Sequence, residues 1–147
     1  MALAEEVGRL LAEAGARVVC GGLSGVMEAA SRGAAGAGGE VIGIVPTESP
    51  TDANEYVTHP VATGIGHARN LAVVASADAV VAVGGEWGTL SEIAFARRLG
   101  RPVVALESWS VRGRESMAEA PGIDSAGDPA TAVAAALASA RAIRHDV

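Results

Sequence analysis

Short, wholly apolar runs that each end at a glycine-rich turn and open into a helical pattern constrain this chain most. Residues 17–20 (RVVC) read as a buried strand running into Gly21, Gly22 and Gly25, after which residues 26–37 resume an alanine-rich helical pattern. The same unit returns at residues 78–83 (DAVVAV), where Gly84 to Thr89 (GGEWGT) forms a second turn and residues 90–99 a helix. Further strands are expected at residues 40–45 (EVIGIV) and 103–106, and further helices at residues 2–14, 67–77 and from Pro129 onward, with Asp128 as the cap of the last. Continuous apolar strands alternating with helices imply a mostly parallel sheet covered on both faces, because a one-sided sheet would alternate apolar and polar residues.

The opening helix is amphipathic, with Leu3, Val7, Leu10 and Leu11 on one face, and it stops at Gly15. A parallel α/β domain ordinarily begins with a strand, so the first strand is missing from this pattern. Either the start lies upstream of Met1 or another segment covers the hydrogen-bonding edge that strand would have paired. Residues 46–64 form a polar stretch of a length usually reserved for functional loops, and residues 107–127 read as irregular. With 147 residues and no Pro/Ser linker, one domain over residues 1–147 is expected.

All 11 basic residues are arginine. Without lysine there is no Walker A lysine and no Schiff base for pyridoxal phosphate chemistry. A net charge of −6 with no basic run gives nucleic acid no patch to bind, and no apolar stretch reaches the roughly 18 residues of a membrane span. Cys20 stands alone, and His59, His67 and His145 show no zinc-ligand spacing, so neither a disulfide, a metal nor a resident cofactor is expected, and a cytoplasmic setting is.

Chemistry in an open parallel sheet belongs at the strand ends, where glycine turns lead into helices. There the unpaired N–H groups and the positive helix terminus attract anions, and the missing Cβ lets the backbone come close. Phosphate is the natural guest. GGLSG alone does not establish it, being GGxxG rather than GxGxxG, and plain strand-to-helix turns account for it as well.

The second turn is more specific. Gly85-Glu86-Trp87-Gly88-Thr89-Leu90-Ser91-Glu92 resembles the PGGxGTxxE motif of the LONELY GUY (LOG) family, once labelled possible lysine decarboxylases, within the wider Rossmann-like group that includes molybdenum cofactor carrier proteins. VVCGGLSGVMEAASRGAAGAGGEVIGIVP is similar to that family's glycine loop, helix and next strand, and Gly66-His67-Ala68-Arg69-Asn70 to its MHxRK segment. The resemblance implies a Rossmann-like three-layer sandwich, and, in members with known activity, hydrolysis of the N-glycosidic bond of a nucleoside 5'-monophosphate. It assigns the catalytic positions to Arg69 and Glu92. Gly22, Gly25, Gly88 and Thr89 would cradle the phosphate, within ligand-binding turns that also contain Gly21, Ser24, Gly85 and Trp87. A carboxylate beside an oxocarbenium-like sugar could stabilise charge and position water, and the arginine fork could hold phosphate or ribose.

Plainer readings compete at each position. Thr89-Leu90-Ser91-Glu92 is also a capping box, Arg69 on a helix is by default solvated, and Trp87 could stack on a planar ring or merely lid its turn. The motif departs from the family at Gly84, Glu86, Ser91 and Asn70. Glu86 is the awkward one, since a carboxylate about 5 Å from a phosphate costs about 3 kcal/mol at an effective dielectric near 20. It must point away, meet a cation such as Arg69, or serve another ligand. The expected partner is thus a phosphorylated nucleotide-like molecule, cleaved or simply bound. The alternative is a non-enzymatic carrier of a phosphorylated pterin such as molybdenum cofactor, or a sensor, in each case as a homodimer or larger homo-oligomer.

Overall fold

The computed structural model describes residues 1–114 and 120–145, and the chain divides into two compact units, Met1–Ser76 and Ala77–Val147. In the first, helix α1 (Ala2–Glu13) precedes strand β1 (Val18–Cys20), helix α2 (Val26–Gly36), strand β2 (Val41–Val45), a 3-10 turn (Pro50–Asp52), strand β3 (His59–Ala62), a 3-10 turn (Gly66–Ala68) and helix α3 (Arg69–Ala75). The strands form a parallel sheet in the order β1-β2-β3, with Val18 opposite Val41 and Ile42 opposite His59. Helices α1 and α2 pack closely, because Gly8 and Gly33 present bare backbone: a Cβ at either would overlap the carbonyl of Ala30 or Glu5. Beneath them Val18, Ala34 and Val41 are buried with Leu11, Ala12, Cys20 and Val57 against them.

The second unit repeats the logic. Strand β4 (Val80–Val83), helix α4 (Trp87–Arg98), strand β5 (Val103–Leu106), strand β6 (Ile123–Ala126) and helix α5 (Pro129–His145) form a parallel sheet ordered β4-β5-β6. Every residue of β5 is buried, which requires cover on both faces, and α4 and α5 both pack on the sheet. Asp128 caps α5 as expected, accepting from the Thr131 amide (2.8 Å) and hydroxyl (2.7 Å). These hydrogen bonds hold the Asp128 carboxyl below its ordinary pKa.

Two expectations are corrected. The stretch at residues 46–64 contains β3, and the stretch at residues 107–127 contains β6; residues 115–119 of the latter lie outside the described residues. Both hidden strands are sheet edges, β3 largely exposed and β6 exposed at its two middle residues, so neither carries a continuous apolar run. β3 even holds Pro60, tolerated because an edge strand has one side whose N–H groups pair with nothing in the sheet. Finally, α4 begins at Trp87, before Leu90, and it carries no side-chain cap. Thr89 therefore lies inside the first turn and Glu86, not Thr89, is the N-cap residue.

Candidate functional site

The first glycine turn leaves β1 and enters α2. Gly22 (φ 72°) and Gly25 (φ 77°) adopt conformations that side chains disfavour, and Gly25 stands at the helix N-cap. At Gly22 a Cβ would also come within 2.9 Å of Val45 and 3.2 Å of the Gly43 backbone, so the turn lies directly over the end of β2. Asn54, from the stretch after β2, fastens it. Its amide Nδ2 donates to the carbonyls of Gly22 (3.2 Å) and Leu23 (2.9 Å), and its own backbone N–H donates to Gly22 (2.8 Å). Carbonyls are thereby held on the Asn54 side of the turn. No side chain caps the α2 N-terminus, where Ser24 and Gly25 are exposed.

Arg69, the first residue of α3, is brought to this turn. Contrary to the default of a solvated arginine on a helix, it is only 7% exposed. Its guanidinium lies on the Gly21 backbone, close enough that a Cβ at Gly21 would come within 2.7 Å of Nη2. The partners of the guanidinium are the Asn70 side-chain oxygen and, at 4.0 Å, the Met27 sulfur; Nε has none among the described residues. A buried cation whose partners are a neutral amide and a thioether is unfavourable unless an anion completes it. Gly21 of the turn and Arg69 thus meet, within the first unit.

The second turn leaves β4 and enters α4. Gly84 (φ 65°) makes the bend, and Glu86 is extended at the N-cap with its side chain exposed. Trp87 is 76% exposed and tilts against Trp109, their ring centroids 5.2 Å apart. Gly88 is exposed, and Thr89, Ser91 and Glu92 are half-buried along the first turns of α4. The Trp109 Nε1–H donates to the Glu86 carbonyl (3.1 Å). Beside it an open hollow of about 350 Å³ is lined by Gly84, Gly85, Glu107, Ser108, Trp109 and Ser110.

Asn54, Ser108 and Trp109 escaped the sequence reading. Trp109 was the findable one, as one of four aromatic residues in the chain and three positions beyond an apolar strand. Among the described residues no three His, Cys, Asp or Glu side chains gather to hold a metal, and no helix is long and apolar enough to cross a membrane.

Parallel strands passing through glycine turns into helices make this a Rossmann-like α/β protein, and its relatives agree. Residues 1–137 match the family model described as the SLOG cluster4 family, and the chain belongs to that family. It is similar to the molybdenum cofactor binding protein of Rippkaea orientalis, with a TM-score of 0.83 and 34% identity over 92% of this chain and 85% of that one. The molybdenum cofactor carrier protein of Chlamydomonas reinhardtii aligns with a TM-score of 0.81 and 34% identity over 95% of this chain and 86% of its own. An uncharacterized protein of Archaeoglobus fulgidus is 45% identical over 105 residues, 71% of this chain and 69% of that protein.

Proposed function

We propose that this protein binds a phosphorylated pterin of the molybdenum cofactor type and carries it unchanged, seating the phosphate on the first glycine turn against Arg69. One observation carries the reading: an arginine only 7% exposed, with Nε unpartnered and no charged group among its hydrogen-bond partners in the described residues. A dianionic phosphate would supply the missing charge. It would also meet the uncapped N-terminus of α2, whose amides and helix dipole favour an anion. The structural neighbours that bind or carry molybdenum cofactor support a carrier over a hydrolase. On this reading the LOG-type residues Arg69 and Glu92 persist without turnover, and the protein works as a homo-oligomer.

Equilibrium titration with the metal-free phosphorylated pterin, alongside AMP and other nucleoside monophosphates, tests it. Pterin binding weakened ten- to hundredfold in Arg69→Gln, the expected loss for a charge-assisted contact, supports the reading. Free base released from a nucleoside monophosphate, and abolished in Glu92→Gln, would overturn it in favour of N-glycosidic hydrolysis. Light scattering on the same preparation reads the oligomeric state.

A further inference from the structure

Both tryptophans of a chain that has only four aromatic residues meet at the end of β4 and β5, and neither belongs to the buried core. Burial gains little from such a pair, since Trp87 leaves 76% of its surface in water. Local construction nonetheless holds it in place. Gly85 leaves room for the Trp109 indole, because a Cβ there would come within 2.7 Å of Cδ1 and Nε1. The indole N–H is tied to the Glu86 carbonyl at 3.1 Å, which fixes the ring plane.

Two further features of the same hollow point the same way. Glu107, which leads the chain off β5, has φ 49°, the only positive φ at a non-glycine position among the described residues, and strain of this kind gathers at ligand sites. Next to it the Ser108 Oγ is withdrawn from solvent and has no hydrogen-bond partner among the described residues, although a buried hydroxyl ordinarily finds one. A hydroxyl that can donate or accept, beside a fixed indole wall and an exposed second indole, suits a flat ring with an amide-like edge.

We infer that this hollow binds a planar conjugated heterocycle, stacked on Trp109, which Trp87 backs from outside the lining, with its polar edge hydrogen-bonded to Ser108. Pterins and purines share that chemistry. The inference rests on the second unit alone and holds whether or not Arg69 seats a phosphate.

Because Trp87 and Trp109 are the only tryptophans, intrinsic fluorescence reports on this site directly. The full chain is titrated with 6-hydroxymethylpterin, with adenosine and with inorganic phosphate, correcting for absorption by the ligand. Saturable quenching by the pterin, by adenosine or by both is the expected result, and which one quenches names the ring. Trp109→Leu, read by isothermal calorimetry, should weaken that binding about ten- to hundredfold, the usual worth of a stacked ring. Ser108→Ala, which leaves the indoles in place, should weaken it several-fold. The inference fails if neither heterocycle quenches, if phosphate alone reproduces the quenching, or if folded Trp109→Leu and Ser108→Ala proteins both bind the ring as the parent does. An Arg69→Gln protein that keeps ring quenching would leave this inference standing while its phosphate affinity decides the carrier reading separately.

Discussion

The Arg69 guanidinium rests on the bare backbone of Gly21, where a Cβ would come within 2.7 Å of Nη2 and 2.9 Å of Cζ. Gly21 does not have the positive φ of Gly22 and Gly25, so an alanine there is conformationally acceptable and acts by displacing the two side chains packed on it, the Arg69 guanidinium and the Met27 sulfur, which a Cβ would approach to 2.6 Å. Gly21→Ala should therefore weaken phosphopterin binding about as much as Arg69→Gln, at a stability cost of roughly 1–3 kcal/mol for the forced shift. Calorimetry with the phosphorylated pterin and a urea melt on the same variant separate the two effects. Unchanged affinity in the folded variant would remove the guanidinium from the site.

Asn54 predicts a different signature. Its side chain donates to two carbonyls of the glycine turn, so Asn54→Ala removes the partner of the Leu23 carbonyl, leaves the Gly22 carbonyl with the backbone N–H of residue 54 alone, and costs about 1–3 kcal/mol. The turn should loosen while Arg69 stays put. Amide hydrogen exchange at residues 22–25 is expected to rise well beyond the global change, with affinity falling less than in Arg69→Gln. If exchange rises uniformly through the first unit instead, Asn54 is a general stabiliser and not a clamp on the turn.

What could be read from the sequence divides along burial. Residues 41–45 and 103–106 are continuous apolar runs because β2 and β5 are central strands covered on both faces, and that signal survives in one dimension. His59–Ala62 and Ile123–Ala126 are edges, paired on one side and wetted on the other, so their composition is that of loops. The glycine turns were visible because positive φ demands glycine, as at Gly22, Gly25 and Gly84. The burial of Arg69 was not, since a guanidinium enclosed by Gly21, Met27 and Asn70 depends on contacts 42 to 48 positions apart in the chain or on a neighbour's rotamer. The start of α4 was misplaced because Gly88 interrupts the helical pattern within the first turn without ending it.

Acid should destabilise the protein through two carboxylates. The Asp128 pKa is lowered by its backbone and side-chain hydrogen bonds from Thr131, and the Glu5 pKa by the hydrogen bond from Arg32, which ties α1 to α2. In each case the folded state holds the proton less tightly than the unfolded chain. Their stabilising contribution is thus complete at neutral pH, above the unfolded values near 4, and is lost as the pH falls through the lower folded values. Melting temperatures recorded from pH 7 to pH 3 should drop less steeply for Asp128→Asn and Glu5→Gln than for the parent. Parallel curves would show that neither hydrogen bond persists in solution.

The α1–α2 contact gives a matched pair of opposite sign. At Gly33 a Cβ would overlap the Glu5 carbonyl and come within 3.0 Å of the Arg9 nitrogen, and backbone of a packed helix cannot step aside as a side chain can. Alanine gains about 1 kcal/mol of helix propensity over glycine, but prying the two helices apart costs roughly 3 kcal/mol or more, so Gly33→Ala should destabilise by about 2 kcal/mol or more. Gly36, one turn further along the same helix, is exposed with nothing within 4 Å of its would-be Cβ. There propensity acts unopposed, and Gly36→Ala should stabilise by about 0.4–1 kcal/mol. Urea midpoints at unchanged m-value measure both. If Gly33→Ala proves neutral, the helices do not approach as closely as the bare backbone at Gly8 and Gly33 allows.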